Sequence, residues 1–176
     1  MTEQEQRLVQ VYTGDGKGKT TAALGLALRA AGHHLRVEIV QFMKGWPGYG
    51  ELEGVEWLPT VTIHPFGRAG WVHPEQPEPE DCERAAQALD YAHQVMTGAQ
   101  ADIVVLDEIN VALDYGLLDL QAVLAFLDER PPSVELVLTG RNAHPEVIKR
   151  AGLVTEMRKV KHPHDVGLDG RLGIEF

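Results

Sequence analysis

The sequence predicts an α/β protein built on a mostly parallel sheet with helices on both faces, and three observations predict it. A glycine- and lysine-rich turn, Thr13 to Thr21, lies between an apolar run at Leu8–Tyr12 and an Ala/Leu-rich segment at Ala22–Ala31. Four consecutive apolar residues, Ile103 to Leu106, end in two carboxylates, Asp107 and Glu108, which is the pattern of a strand buried on both faces. Strand-like and helix-like segments then alternate along the chain. Strand, glycine-rich turn, helix is the context in which Gly18-Lys19-Thr20 means phosphate binding. The expected architecture is therefore a single-domain P-loop nucleotide-binding fold covering residues 1–176, with 1–6 as a flexible N-terminal extension.

Bulk properties agree with one compact domain. The chain has 176 residues, 44% hydrophobic and 24% charged, ordinary values for a globular protein with a full core. A formal net charge of −10 argues against a broad nucleic-acid or membrane footprint. The single cysteine, Cys82, excludes an internal disulfide, fits a reducing compartment and reads as a buried core thiol. The polar residues 1–7 lack the apolar core of a signal peptide. No apolar run approaches the roughly 20 residues that cross a bilayer, so a cytoplasmic protein is expected.

In chain order, the first strand is expected at Arg7–Tyr12. Its helix spans about Lys19–Ala31, ends at Gly32, and is apolar enough on nearly every side to be buried on more than one face. A second strand covers Leu35–Phe42. From Met43 to Glu80 the pattern thins: six prolines, six glycines and all three tryptophans, Trp46, Trp57 and Trp71, fall here. Apart from a short strand near Val61–His64, this is a long loop of the kind that carries function. A helix follows at about Asp81–Met96, with the stripe Cys82, Ala85, Ala86, Leu89, Ala92, Met96. After the Asp107-Glu108 strand come a helix at Leu117–Arg130, turning Leu118, Val123, Phe126 and Leu127 inward, and a strand at Val134–Leu138. A short helix at Pro145–Ala151 and a strand at Leu153–Met157 close the regular pattern.

Right-handed crossovers put every helix-leading loop at the carboxyl ends of the strands. Gly14–Thr20, Gln41, Asp107-Glu108 and Arg141 should therefore face one crevice. Glycines in the loop let successive N–H groups point at an anion, and the helix adds its positive end. Lys19 would supply a mobile cation, Thr20 a hydroxyl for magnesium, and Asp107 a magnesium contact, direct or through water. Glu108 suits a second magnesium ligand or a base. Arg141 suits bidentate contact with a triphosphate or a structural ion pair. Arg29, roughly 13 Å down the helix at 1.5 Å per residue, reads as scaffold. His162, His164 and Asp165 make a poor metal cage. Trp71 on its glycine-rich loop packs either on the body or on a ligand. The loop itself departs from the common G-x-x-x-x-G-K-[ST] pattern, since Thr13 occupies the leading glycine's place and Gly14 leaves it one residue short.

The ordered set Gly14-Asp-Gly-Lys-Gly-Lys-Thr-Thr, Arg29-Ala-Ala-Gly-His33, Gln41-Phe-Met-Lys-Gly45, Gly50-Glu51, Leu106-Asp-Glu108, Arg130-Pro131, Thr139-Gly-Arg141, Val160-Lys-His162 and Gly173-Ile-Glu-Phe176 resembles P-loop ATP:corrinoid adenosyltransferases over nearly the whole chain. The resemblance implies transfer of the 5′-deoxyadenosyl group of ATP to the Co(I) of a reduced corrinoid, with release of triphosphate. It implies ATP held by Gly14, Asp15, Gly16, Lys17, Gly18, Lys19, Thr20, Thr21 and Arg141, in reversed polarity relative to ordinary P-loop enzymes. It further implies magnesium at Thr20, Asp107 and Glu108, catalytic roles for Lys19, Thr20 and Glu108, and a corrinoid pocket including Phe66 and Trp71. A flavoprotein-type reductase and a homodimer are the implied partners, with neither nucleic acid nor membrane. The closing stretch Leu168–Leu172 departs from the family pattern and receives no role. An ATP-hydrolysing P-loop enzyme remains the rival reading, with Glu108 beside Asp107 as its support, and a non-catalytic nucleotide or corrinoid carrier is a third.

Overall fold

The computed structural model describes residues 7–176, so the extension expected at 1–6 lies outside the described residues. Six parallel strands form one sheet: β1 (Val9–Thr13), β2 (Val37–Gln41), β3 (Val61–Pro65), β4 (Ile103–Asp107), β5 (Glu135–Thr139) and β6 (Leu153–Glu156). Their order across the sheet is β3-β2-β4-β5-β1-β6, and every pairing is parallel. Each helix therefore returns the chain to the amino edge, and each functional loop leaves from the carboxyl edge.

The alternation of side chains along β4 explains the layers. Ile103 and Val105 turn toward α1 (Lys19–Ala31), while Val104 and Leu106 join the opposite core. On the α1 side, Ala23, Ala27 and Ala30 meet Val37, Ile39 and Val137. Alanine at these positions lets the helix lie close on the sheet. On the other side, α3 (Pro79–Thr97), α4 (Ile109–Asp114), α5 (Leu120–Asp128) and Val147 of α6 (Pro145–Arg150) cover the sheet. Val123, Phe126, Leu127 and Leu118 are all buried as expected. Each such side chain contributes about 1.5–3 kcal/mol by leaving water.

Several expectations are corrected. The first helix buries one stripe only: Thr21, Gly25 and Arg29 are exposed and Leu28 is 59% exposed. Its all-round apolar look came from alanines, which are neutral to either environment. On α3 the buried set is Ala85, Ala88, Leu89, Ala92, Val95 and Met96. Ala86 faces outward and Cys82 is only half-buried against that core. Asp81 is buried instead, because it closes a capping box with Glu78 and pairs with Arg68 at 2.7 Å. Two short helices were not anticipated, α2 (Gly50–Gly54) in the long loop and α4 directly after Asp107-Glu108.

Candidate functional site

The carboxyl ends of β1, β2, β4 and β5 meet at one rim. β1 delivers the glycine-rich loop, in which Gly14 and Gly18 take φ of +97° and +118°, a region that L side chains enter only with strain. A second constraint acts on Gly14 and Gly16. The chain leaving β6 passes so close that a Cβ at either position would strike the Met157 backbone. Met157 donates its N–H to Thr13 O at 2.8 Å and accepts from Gly16 N at 2.6 Å. The N–H of Gly16 is thereby used within the fold, so it does not join the inward-pointing set the motif suggested. Asp15 accepts from the Lys159 backbone N–H at 3.0 Å, and that bond holds its carboxyl below the usual range.

Lys19 is almost buried and folds over its own loop, donating to Gly14 O at 2.9 Å and Gly16 O at 2.7 Å. Burial holds its ammonium pKa below the ordinary lysine value, against the pull of Glu108. Thr20 donates its hydroxyl to Asp107 Oδ1 at 2.9 Å. Thr21 is exposed and lines neither of the clefts described below.

Asp107, 1% exposed, is saturated. Oδ1 accepts from Thr20 and, at 2.7 Å, from the Thr139 hydroxyl; Oδ2 accepts from Lys44 at 2.7 Å and from Gln41 at 3.4 Å. A carboxylate has about four acceptor sites, so all are in use. Glu108 differs in every respect. Its backbone turns left-handed (φ +67°) to start α4, and its N–H is held by the Thr139 hydroxyl at 2.9 Å. Among the described residues its carboxylate has no hydrogen-bond or ion-pair partner, and it lines the larger of the two clefts described below. Burial, and then the neighbouring Asp107 charge, push its pKa above the ordinary glutamate value. Of the two carboxylates, Glu108 could accept a hard cation, while Asp107 is engaged by Thr20, Thr139, Lys44 and Gln41.

Sequence reasoning gave Lys44 no role, although the motif Gln41–Gly45 contained it. Its ammonium bonds Asp107 and lies 3.7 Å from Glu51 Oε1. Burial lowers its pKa, but Asp107 and then Glu51 more than offset that, leaving it raised. Met43 at φ +59° turns the chain toward this position, and Gly67 N donates to Lys44 O at 2.8 Å. A left-handed non-glycine residue ahead of a lysine on a buried acid is recognisable only once β2 and β4 are known to be neighbours.

Two clefts open on this rim. The larger, about 880 Å³, is lined by Lys19, Lys44, Glu108 and Arg141 together with Trp46 and Trp71, among others. The smaller, about 280 Å³, lies between Asp15, Arg141, Lys159 and the His162–Asp165 turn. Arg141 is exposed, lines both clefts and makes no hydrogen bond or ion pair among the described residues. Trp71 is 88% exposed, at the tip of a loop fixed by Arg68–Asp81 and by Arg84 on Gly67 O. Phe66 lies elsewhere: its ring is 5.6 Å from Tyr91 and partly buried against the core, and it is not among the residues that line the larger cleft. Of the two aromatics, Phe66 is partly buried against the core and Trp71 is exposed.

A phosphate loop after β1, a buried aspartate at the end of β4 and a parallel sheet define a P-loop nucleotide-binding protein. A KaiC-like protein from Pyrococcus horikoshii shares the fold at a TM-score of 0.52 and 18% identity, over 84% of this chain and 71% of that one. The family is narrower. Residues 5–176 match the model of the ATP:corrinoid adenosyltransferase family BtuR/CobO/CobP, and the chain belongs to that family. Corrinoid adenosyltransferases of Pseudomonas aeruginosa and Escherichia coli K12 are 39% and 35% identical to it, over 98% and 99% of this chain and 85% and 88% of theirs. The enzyme named Corrinoid adenosyltransferase CobA from Salmonella typhimurium is 35% identical over 99% of this chain and 88% of its own.

Proposed function

We propose that this chain transfers the 5′-deoxyadenosyl group of ATP to the Co(I) centre of a reduced corrinoid. The observation that carries this reading is that one cleft joins Lys19, Glu108 and Arg141 to the exposed rings of Trp71 and Trp46. A triphosphate suits the first group and a broad, largely apolar macrocycle the second. Cobalt supplies the electron pair: the Co–C5′ bond forms as the C5′–O bond breaks, and that pair leaves on the oxygen of triphosphate. The corrinoid contributes the nucleophile. The protein's part is to align C5′ with cobalt and to stabilise charge developing on the leaving group.

Lys19 would exchange the Gly14 and Gly16 carbonyls for phosphate oxygens, and Arg141 would close on them from the β5 end. Thr20 and Glu108 are oxygen donors suited to Mg2+. Among the described residues no three His, Cys, Asp or Glu side chains are grouped to hold a metal, so a magnesium ion here would draw its other ligands from phosphate and water. Bound there, it would neutralise leaving-group charge. Asp107 fixes the Thr20 hydroxyl, and Trp71 would contact the corrinoid. A reductase would supply Co(I). A homodimer is supported by the exposed apolar edge at Leu153 and Val154 and by Leu28. A cytoplasmic setting belongs to the same reading; no helix of the described residues is long and apolar enough to cross a membrane.

The test is anaerobic turnover with ATP, magnesium and a chemically reduced corrinoid, following the alkyl-cobalt spectrum and phosphate products. Triphosphate formed in step with the adenosylated corrinoid is expected. ADP and phosphate made without a corrinoid would establish the hydrolase instead, and binding without turnover the carrier.

A further inference from the structure

The closing segment, Leu168 to Phe176, lines the larger cleft beside the nucleotide loop. Lys17, in that loop, donates to Ile174 O at 3.0 Å and Glu175 Oε1 at 2.9 Å. Glu175 also accepts from Arg171, through its backbone N at 2.8 Å and Nη2 at 2.9 Å. The segment is thus fastened to the loop and folded on itself. Its last ring, Phe176, meets Trp46 edge-on at 5.3 Å and 75°, and Trp46 meets Tyr49 at 5.3 Å and 84°. Three linked aromatic rings therefore line the same cleft as Trp71. Trp46 still leaves 44% of its surface to water, which is costly for an aromatic held in place by neighbours on two sides.

We propose that Phe176, backed by Trp46 and Tyr49, is a corrinoid-binding surface: the aromatic ladder bears on the face of the macrocycle, and the Lys17–Glu175 latch joins that surface to the phosphate loop. This rests on the adenosyl-transfer reading and deepens it. The occupant follows from chemistry and size. A triphosphate is drawn to the Lys19–Arg141 end and gains nothing from aromatic rings, whereas a cleft of about 880 Å³ is near the upper limit for small-molecule sites and suits a macrocycle beside a nucleotide.

Isothermal titration of the full chain with hydroxocobalamin and, separately, with MgATP tests this. Phe176→Ala should weaken hydroxocobalamin binding about tenfold while leaving the MgATP Kd within about twofold, and Phe176→Tyr should bind both as wild type does. Unchanged hydroxocobalamin affinity in Phe176→Ala would overturn the proposal. Equal losses for both ligands would also overturn it, since they would mark a structural role. Wild-type protein that binds MgATP but no hydroxocobalamin would instead refute the adenosyl-transfer reading itself, a result seen before any variant is made.

Discussion

Replacing Lys44 by methionine should be among the most destabilising changes at the rim that leave the core's volume intact. Asp107 is 1% exposed, and the Lys44 ammonium, 2.7 Å away, is the one cation bonded to it among the described residues. Methionine matches the length of the lysine stem but removes the charge, leaving a buried carboxylate with only the neutral donors Thr20, Thr139 and Gln41. Breaking such a pair from one side costs about 3–5 kcal/mol. Lys44 keeps 16% of its side chain in solvent, so the lower end, about 3 kcal/mol, applies. At roughly 2–4 °C per kcal/mol for a chain of this size, the midpoint should fall by roughly 6–12 °C. Calorimetry at neutral pH with chelator present would measure it. Adding Asp107→Asn to Lys44→Met should recover at least half of the loss, because the uncompensated charge is then gone. A fall below 1 °C in the single variant, or additive losses in the double, would refute the claim that Lys44 compensates Asp107.

Other expectations follow from the same geometry. Lys19→Ala should reduce adenosyl transfer by more than 100-fold with a circular dichroism spectrum and melting point near wild type; near-normal rates would remove Lys19 from the phosphate site. Glu108 has a raised pKa, so its ionisation in the fold opposes stability above the unfolded-state value near ~4.3. Glu108→Gln should therefore melt higher than wild type at pH 7 without metal, with the advantage vanishing as pH falls below ~4; a lower melting point at pH 7 would contradict the burial argument. Gly16→Ala would set a Cβ 2.7 Å from Met157 O and should cost about 1–3 kcal/mol, read by urea denaturation. Trp71→Ala, at an exposed position, should change stability by less than about 0.5 kcal/mol, yet slow reaction from Co(II) with a reductase more than reaction from preformed Co(I). Equal slowing in both assays would argue against a role at the corrinoid's axial position.

The strands were legible because their signal is local. The run Ile103–Leu106 can only be a strand covered on both faces, and once strands and helices alternate, the rim that gathers Lys19, Thr20, Asp107, Glu108 and Arg141 follows from handedness alone. What escaped is long-range. Lys44 acquires meaning only from β2 lying beside β4, and the glycine at position 16 only from Met157, 141 residues later, passing over it. Helix α4 was hidden because the turn that starts it uses Glu108 in a left-handed conformation instead of a glycine. Phe66 and Trp71 look equivalent in sequence, yet Phe66 packs against the core beside Tyr91 and Trp71 stands in water. The closing segment carried no periodicity to read, since its order comes from Lys17 and Trp46, both far away in the chain.

The central claim is that the nucleotide is broken at its adenosyl end. ATP carrying oxygen-18 in the C5′–O bridge tests this in a single turnover with Co(I) corrinoid, read by mass spectrometry of the products. If C5′ is the atom attacked, the label leaves entirely with triphosphate and none remains on the adenosyl group joined to cobalt. Label retained on ADP or on any adenosine product would mean that a phosphorus–oxygen bond had been cut, and would contradict the account.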